Sequence, residues 1–578
     1  METTSADPRQ PETYDVVFLS TGLVESIVAA ALAVAGKRVL QIDQNDQYGS
    51  SWRTVSPDQI SSRVRPSAAL TSATASKIHV DLNPRLAYAD GPLVSLLLAS
   101  GAHNYAEFVF CKTAVWSELK SGESGATGAF VGVAASKGDV FKDSSLSLVQ
   151  KNALVRALKE LAERPERPWR EISDDVGLDA DLVDRFVHGV CLSNGVDKVD
   201  GIAGGLLTTY GRSLGKYVLS GGSSPFLYPK YGCSELCSAF SRRAAVAGAV
   251  QMLRCKARVR MAKGGSVGVG DQDGDGDGKE VVFEPSEGEE VVFEQSEGEE
   301  QPLPPVPPTS PSHKSLPPSH LDVLVRDEEG VERRIAASVV VGRGRRAQHT
   351  TTRCCALVRG RAIPRDGRCL AAFPRASSDG NVVWMLQLDC ASGCCDLEGH
   401  TLVHLWTTRE GNQDQSDLGN GVGVGSPEDE FRAILERHVD CSLVWDRGVG
   451  GGVNEQRGVV QRPVVHPQRP VHTHSRPYPR IEALWAWCDD DHYVTTDEGI
   501  TVHENAINRI ITDYDGDLAG GGLVSFAGVQ AEAERLFLLA TRELDELVFP
   551  FSEAALDNDN EDDELDGLED LLMMGDTR

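Results

Sequence analysis

The hydrophobic positions near the start of the chain follow a strand, helix, strand order. Residues 14–19 (YDVVFL) form an apolar run with β-branched side chains, which is typical of a buried parallel strand. Residues 24–35 are small and apolar enough for a helix that lies on a sheet, and Gly36 ends it. A second strand at residues 38–42 runs up to Asp43. This pattern predicts a βαβ unit.

A helical pattern replaces the strand pattern between about residues 141 and 219. Its apolar positions predict helices at residues 146–161, 182–192 and 202–219. Strand-like runs then return, namely VQMLRCKARVRM, LDVLVRD, RRIAASVVVG, NVVWMLQLD and TLVHLW. The order indicates an α/β domain with an inserted, all-helical domain.

Residues 262–320 are low in complexity, with DQDGDGDG, a tandem decapeptide (VVFEPSEGEE, VVFEQSEGEE) and PLPPVPPTSPSHKSLPP. This acidic, glycine- and proline-rich insert is predicted to be disordered, because it has too little apolar surface to offset the entropy of ordering. PLPPVPP is interpreted as an extended spacer, with docking to an SH3-like groove as the alternative. Ser286 and Ser296 have the acidic surroundings that an acid-directed kinase uses. Loops are predicted at 411–427 and 448–476, and an acidic tail at 551–578.

Composition narrows the classes of function. The 578 residues carry a formal charge of −29, which argues against nucleic acid as a partner. The longest apolar stretch, residues 27–35, is about half of what a membrane span needs. The thirteen cysteines lack paired CxxC spacing, so reduced thiols and no metal are expected. With no signal peptide or prenylation box in the sequence, a cytoplasmic location is expected.

The turn after the first strand invites comparison with a dinucleotide-binding GxGxxG motif. The three glycine positions are held here by Ser20, Gly22 and Glu25. Glu25 would place a carboxylate in the first helical turn, where a pyrophosphate would otherwise bind, although Asp43 has the spacing of a ribose-binding acid. The prediction is a flavoprotein-like scaffold with no cofactor. A flavin oxidoreductase is the alternative, and it would be yellow when purified.

Other catalytic signals are missing from the sequence. It has no GxSxG and no HExxH motif. Three histidines in a proline-rich stretch are interpreted as solvated loop residues: His466, His472 and His474. We therefore expect a protein that is not an enzyme.

Three blocks of sequence carry a resemblance to a known family. The first is YDVVFLSTGLVES with KRVLQIDQNDQYGSSW, the second is residues 81–108 (DLNPRLAYADGPLVSLLLASGAHNYAEF), and the third is residues 223–254 (SSPFLYPKYGCSELCSAFSRRAAVAGAVQMLR). In this order they resemble the Rab escort protein and Rab GDP-dissociation inhibitor superfamily. The likeness is faint beyond residue 335, apart from AEAERLF at 531–537.

The resemblance implies a division of the chain. A Rab-binding α/β domain of flavoprotein-like, Rossmann type would comprise residues 12–115, 223–261 and 321–550. The helical domain at 116–222 would shelter the geranylgeranyl lipid of the Rab. The resemblance also implies a Rab-binding surface, carried over onto Tyr48, Glu235, Arg242, Val250 and Met252. Aromatic and arginine side chains are typical anchors of protein interfaces.

Within this superfamily the escort branch is favoured. Trp52, residues 105–108 (YAEF), the insert and the acidic tail resemble that branch. The implied protein binds GDP-form Rab GTPases, presents them to the Rab geranylgeranyltransferase heterodimer as a non-catalytic subunit, and contacts membranes transiently. Ala247 and Gly248–Ala249 depart from the escort pattern in a region that contributes to transferase docking. A Rab GDP-dissociation inhibitor is the alternative.

Overall fold

The computed structural model describes residues 12–60, 72–117, 128–133, 146–217, 223–260, 280–281, 321–342, 349–364, 367–374, 381–410, 427–439, 480–489, 509–511, 523–541 and 549–551. The predicted loops, the acidic tail from residue 552 on, the two serines of the insert and the three loop histidines lie outside these ranges, except that Pro427 begins a helix.

The described strands share two large sheets and two small ones. Their bounds are β1 Glu12–Phe18, β2 Val39–Ile42, β3 Thr54–Val55, β4 Val80–Asp81, β5 Ala87–Tyr88, β6 Phe108–Phe110, β7 Lys112–Ser117, β8 Ala129–Gly132, β9 Phe226–Pro229, β10 Val250–Met252, β11 Lys256–Arg260, β12 Glu280–Val281, β13 Leu321–Arg326, β14 Glu332–Val341, β15 His349–Arg359, β16 Cys369–Phe373, β17 Val383–Leu388, β18 His400–Glu410, β19 Arg480–Asp489 and β20 Arg509–Ile511.

The helices lie between these strands. Their bounds are α1 Leu23–Val34, α2 Ser72–Ala75, α3 Pro92–Ser100, α4 Leu148–Glu163, α5 Trp169–Val176, α6 Ala180–Asp184, α7 Ala203–Ser213, α8 Ser234–Val246, α9 Pro427–His438 and α10 Val529–Thr541. A π-helical turn, Arg185–Val190, follows α6. Within the described ranges no helix is both long and apolar enough to cross a bilayer.

The first sheet confirms the predicted βαβ unit. Its strand order is β10-β2-β1-β14-β13-β11-β12, and β20 also pairs with β14. Strands β10, β2, β1 and β14 are parallel, whereas β13, β11 and β12 continue the sheet in antiparallel fashion. Helix α1 is buried along nearly its whole length, which explains its small apolar side chains. Strand β10 and the β11–β12 pair therefore lie at opposite edges.

The second sheet has the order β19-β15-β18-β17-β16-β7-β8 and is antiparallel except where β16 pairs with β7. Strands β7 and β8 occupy residues 112–117 and 129–132, and the first described helix of the segment predicted as helical (116–222) begins at Leu148. The consecutive residues Ala114 and Val115 of β7 are both buried, and this tertiary packing decides the strand conformation.

The helical segment agrees with the predicted spacing. Helices α4 and α7 correspond to the predictions at 146–161 and 202–219, and α6 with the π-helical turn corresponds to 182–192. The buried rings of Trp169 and Phe186 pack against each other in this segment, with centroids 3.9 Å apart and planes tilted by 31°.

The prediction of disorder for the insert at 262–320 is wrong at two residues. Most of residues 262–320 lie outside the described ranges, but Glu280–Val281 forms β12 and pairs with β11. A short segment that pairs with a strand edge satisfies backbone N–H and C=O groups, which composition alone does not take into account.

Candidate functional site

The turn between β1 and α1 is closed by its own side chains. Glu25 is fully buried in the first turn of α1, and its Oε1 accepts a hydrogen bond from Ser20 Oγ at 2.8 Å. Ser20 Oγ also accepts from the Gly22 N–H at 3.1 Å and lies 2.9 Å from Ser50 Oγ. Ser20 and Glu25, the two residues that replace glycines of the motif, thus hydrogen-bond to each other at the N-terminus of α1.

Asp43, at the end of β2, is engaged in the same network. Its Oδ2 accepts hydrogen bonds from Thr21 Oγ1 at 2.5 Å, from the Thr21 N–H at 3.1 Å and from Ser50 Oγ at 2.6 Å. Its Oδ1 accepts from the backbone and side-chain amides of Asn45, at 3.0 and 2.7 Å. The carboxylate that has the spacing of a ribose ligand is therefore committed to holding the loop after β2.

These residues do not fit a dinucleotide cofactor. A pyrophosphate binds to free backbone N–H groups at a helix N-terminus, in a region of positive potential. Here the Gly22 N–H is bonded to Ser20, and the buried carboxylate of Glu25 would repel a phosphate. No redox chemistry is assigned to this turn.

Strand β10 forms the edge of the first sheet next to this turn. Val250 and Met252 lie opposite Leu40 and Ile42 of β2, and Val250 is 42% exposed. The Asp43 N–H donates to the Met252 carbonyl at 2.9 Å, which ties the edge strand to the loop that carries the half-buried Tyr48. Three of the predicted surface residues therefore belong to one edge of the sheet.

Helix α8 leads directly into β10 and presents Arg242 to solvent. The Arg242 guanidinium lies 4.6 Å from the ring centroid of Tyr105, a cation–π arrangement that fixes the side chain. The next residue, Arg243, donates from Nε to the Ser100 carbonyl at 2.6 Å and so anchors the helix. Arg242 is thus held in place while it stays exposed.

Glu235, in the first turn of α8, is half-buried. Its Oε1 accepts from the Glu107 N–H at 2.9 Å, and its Oε2 accepts from the Tyr231 N–H at 3.2 Å. Burial raises the pKa of the Glu235 carboxyl. Both oxygens are therefore engaged within the chain, which leaves Glu235 less available to a partner than Arg242.

Asp81 was not singled out from the sequence, but it positions α8. Its carboxylate is fully buried, and Oδ2 accepts from the Tyr228 hydroxyl at 2.7 Å and from the Cys233 N–H at 2.8 Å. Its Oδ1 accepts from the Asn83 N–H at 3.1 Å. Its position as the first residue of the second family-like block, the D of DLNP, was the signal available in the sequence.

Metal binding finds no support in the described ranges. There, histidine, cysteine, aspartate and glutamate form no group suited to a metal ion. Eleven cysteines of the described ranges are free thiols, and all of these except Cys390 are buried.

The chain matches a known family over its N-terminal half. Residues 10–296 match the family model described as "GDI: GDP dissociation inhibitor". The resemblance to the Rab escort and Rab GDP-dissociation inhibitor superfamily is thereby confirmed.

Relatives with two different names match the same region. The chain is 30% identical over 285 residues to Rab proteins geranylgeranyltransferase component A of Drosophila melanogaster, covering 42% of this chain and 53% of that protein. It is 28% identical over 297 residues to Rab GDP dissociation inhibitor beta of Rattus norvegicus, covering 48% and 64%. The matches thus span between half and two thirds of these relatives.

A solved structure confirms the fold class. The Rab GDI of Plasmodium falciparum superposes with a TM-score of 0.55 at 17% identity, covering 92% of this chain and 98% of that one. This likeness concerns the fold alone. The five predicted surface residues all lie inside the family match, and their role remains a prediction.

Proposed function

We propose that this chain is a Rab escort protein that binds newly made Rab GTPases in their GDP form and presents them to the Rab geranylgeranyltransferase heterodimer. The observation that supports this most strongly is the family match over residues 10–296, which contains the whole candidate surface. The closed turn is consistent with it, because a scaffold without a cofactor is free to act through its surface. The mechanism makes and breaks no covalent bond in this chain.

The binding step would use the β10 edge and the exposed face of α8. Arg242 offers a planar, always-charged group whose stacking on Tyr105 reduces the entropy lost on binding. Val250, Met252 and Tyr48 supply apolar contact area next to it. Clamping the switch regions of the GTPase in one state would slow the release of GDP.

Substitution of Arg242 by alanine is expected to weaken binding of a GDP-form Rab at least about tenfold, as is usual for an interface arginine that anchors a contact. Isothermal titration calorimetry measures this directly. Arg432→Ala is the matched control, because Arg432 is also exposed, lies on α9, which packs against β15 and β18 of the second sheet, and pairs with Glu436 at 2.8 Å. Equal affinity of the Arg242 variant and the unsubstituted chain would show that the surface is misplaced.

The helical segment would hold the geranylgeranyl group after transfer. An isoprenoid gains about 0.8 kcal/mol for each methylene-sized group that is buried, so a groove between helices α4 to α7 would suffice to keep the lipid out of water. This role implies a cytoplasmic protein with transient membrane contact.

A Rab GDP-dissociation inhibitor is the second candidate function, because relatives with that name match the same region. Reconstitution separates the two candidates. Transferase, geranylgeranyl diphosphate and an unprenylated Rab are mixed with and without the chain. An escort protein makes lipid transfer dependent on its addition. An inhibitor extracts prenylated Rab from membranes and leaves transfer unchanged.

A further inference from the structure

The antiparallel end of the first sheet carries a strand edge that the described strands cover only in part. Strand β11 pairs with β13 along all five of its residues, but with β12 at only two positions, Val259 opposite Val281 and Arg260 opposite Glu280. Among the strands that the structure describes, none continues β12 alongside residues 256–258. An uncovered edge is a template for an added strand.

Strand β12 belongs to the first copy of the tandem decapeptide. The copies are VVFEPSEGEE at 281–290 and VVFEQSEGEE at 291–300, each is preceded by glutamate, and they differ only at Pro285 and Gln295. The dipeptide that pairs with β11 therefore recurs ten residues later. Because residues 280–284 and 290–294 have the same sequence, EVVFE, exchanging one copy for the other in the same register would present equivalent residues to the same face of the sheet.

The charges of the two segments are complementary. Strand β11 has the sequence KARVR, in which Lys256 and Arg258 are exposed and alternate with apolar residues. Each decapeptide carries an apolar VVF flanked by glutamates. Opposite charges on facing strands stabilise a pair, so β11 suits an acidic strand of this kind.

We propose that the edge of β11 is a docking site for the decapeptide and that either copy occupies it in turn. Continuing the described register places Glu284 of the first copy, or Glu294 of the second, opposite Lys256. The chain thus has two interchangeable edge strands for one position.

The connecting segments allow both arrangements. Docking of the first copy leaves 19 residues (261–279) before the strand and 39 residues (282–320) after it, whereas docking of the second leaves 29 (261–289) and 29 (292–320). The entropy of loop closure changes only with the logarithm of length, so the longer first loop is nearly offset by the shorter second one.

Hydrogen–deuterium exchange of the full-length chain tests the exchange of copies. Successive residues of a strand point their backbone N–H groups to opposite edges, so two adjacent prolines remove one hydrogen-bond donor from each edge. The first-copy variant is Val281→Pro with Val282→Pro, and the second-copy variant is Val291→Pro with Val292→Pro. Each alone is expected to leave exchange in peptides spanning residues 256–260 within about twofold of the unsubstituted chain, whereas the combined variant speeds it about tenfold or more.

Glu287→Pro with Gly288→Pro is the matched control, because it places two prolines in the same repeat outside the proposed strand, and exchange at β11 should not change. Peptides of β14 report whether the sheet stays folded. The proposal is overturned if the first-copy variant alone exposes β11 as fully as the combined variant, or if the combined variant has no effect. Protection of β11 that disappears on dilution would also overturn it, in favour of a strand from a second copy of the chain.

Rab binding provides an independent readout, because β10 and β11 lie at opposite edges of the sheet. The combined variant should bind a GDP-form Rab as the unsubstituted chain does. A loss of Rab binding in this variant would contradict the separation of the two edges. Failure of the unsubstituted chain to bind Rab would count against the proposed function only.

Discussion

Replacement of Asp81 by alanine is expected to lower the free energy of unfolding by about 3 kcal/mol. The Asp81 carboxylate is fully buried and accepts hydrogen bonds from the Tyr228 hydroxyl and from the backbone amides of Cys233 and Asn83. Alanine would leave these three donors without an acceptor in the protein interior. Since Cys233 immediately precedes α8, the loss would also loosen the helix that presents Arg242.

Denaturant unfolding measures this loss, and two further variants identify its cause. Burial raises the pKa of the Asp81 carboxyl, so the neutral Asp81→Asn variant should cost less than alanine. Asp322→Asn is the surface control, because Asp322 pairs with the exposed Arg334, and a change below about 1 kcal/mol is expected there. A loss below about 1 kcal/mol for Asp81→Ala would mean that the cluster does not hold α8.

Acidification from pH 7 to pH 5 is expected to destabilise the fold strongly. Burial lowers the pKa of His188 and His438 to about 4 and that of His404 to about 3. In the unfolded chain these three imidazoles bind protons as the pH falls through about 6.5. In the folded chain burial keeps the same rings neutral at that pH. Stability is therefore full above about pH 6.5 and falls toward pH 4, with a limiting slope of about 1.4 kcal/mol per pH unit for each histidine.

Urea unfolding at several pH values measures the combined slope. His404→Leu should make the slope shallower by about one histidine's share, because His404 is buried and its Nε2 has no hydrogen-bond partner in the described structure. The exposed His79 provides the matched control as His79→Leu, which should leave the slope unchanged. An unaltered slope in the His404 variant would show that this ring does not resist protonation.

The pattern of apolar and polar residues was enough to predict those features of the fold that depend on residues close together in the sequence. The βαβ unit follows from apolar runs with a fixed spacing, and Glu25 in the first turn of α1 follows from counting along the motif. The bond between Ser20 and Glu25 then results from their closeness in sequence. For these features, secondary structure alone decides which atoms meet.

Features that depend on distant partners were beyond sequence reasoning. Glu235 is a predicted surface residue, yet both of its carboxylate oxygens accept hydrogen bonds within the chain, one of them from the Glu107 N–H, 128 positions away. The stacking of Arg242 on Tyr105 joins two family-like blocks that the sequence presents separately. Strand β12 lies in a low-complexity stretch, where only the neighbouring edge of β11 selects an extended conformation.

The fold thus keeps the strand, turn and helix arrangement of a nucleotide-binding scaffold, but different residues occupy the turn. At the turn after β1, Ser20, Glu25 and Asp43 bond to their neighbours in the chain. The exposed groups lie beside this turn, on α8 and β10. This arrangement is consistent with recognition of a protein surface.

Titration of the purified chain with a Rab GTPase in its two nucleotide states tests the central proposal most directly. We expect one-to-one binding of the GDP form, at least about tenfold tighter than binding of a GTP-analogue form, together with slower GDP release. A chain that binds neither form and carries bound flavin when purified would contradict the account.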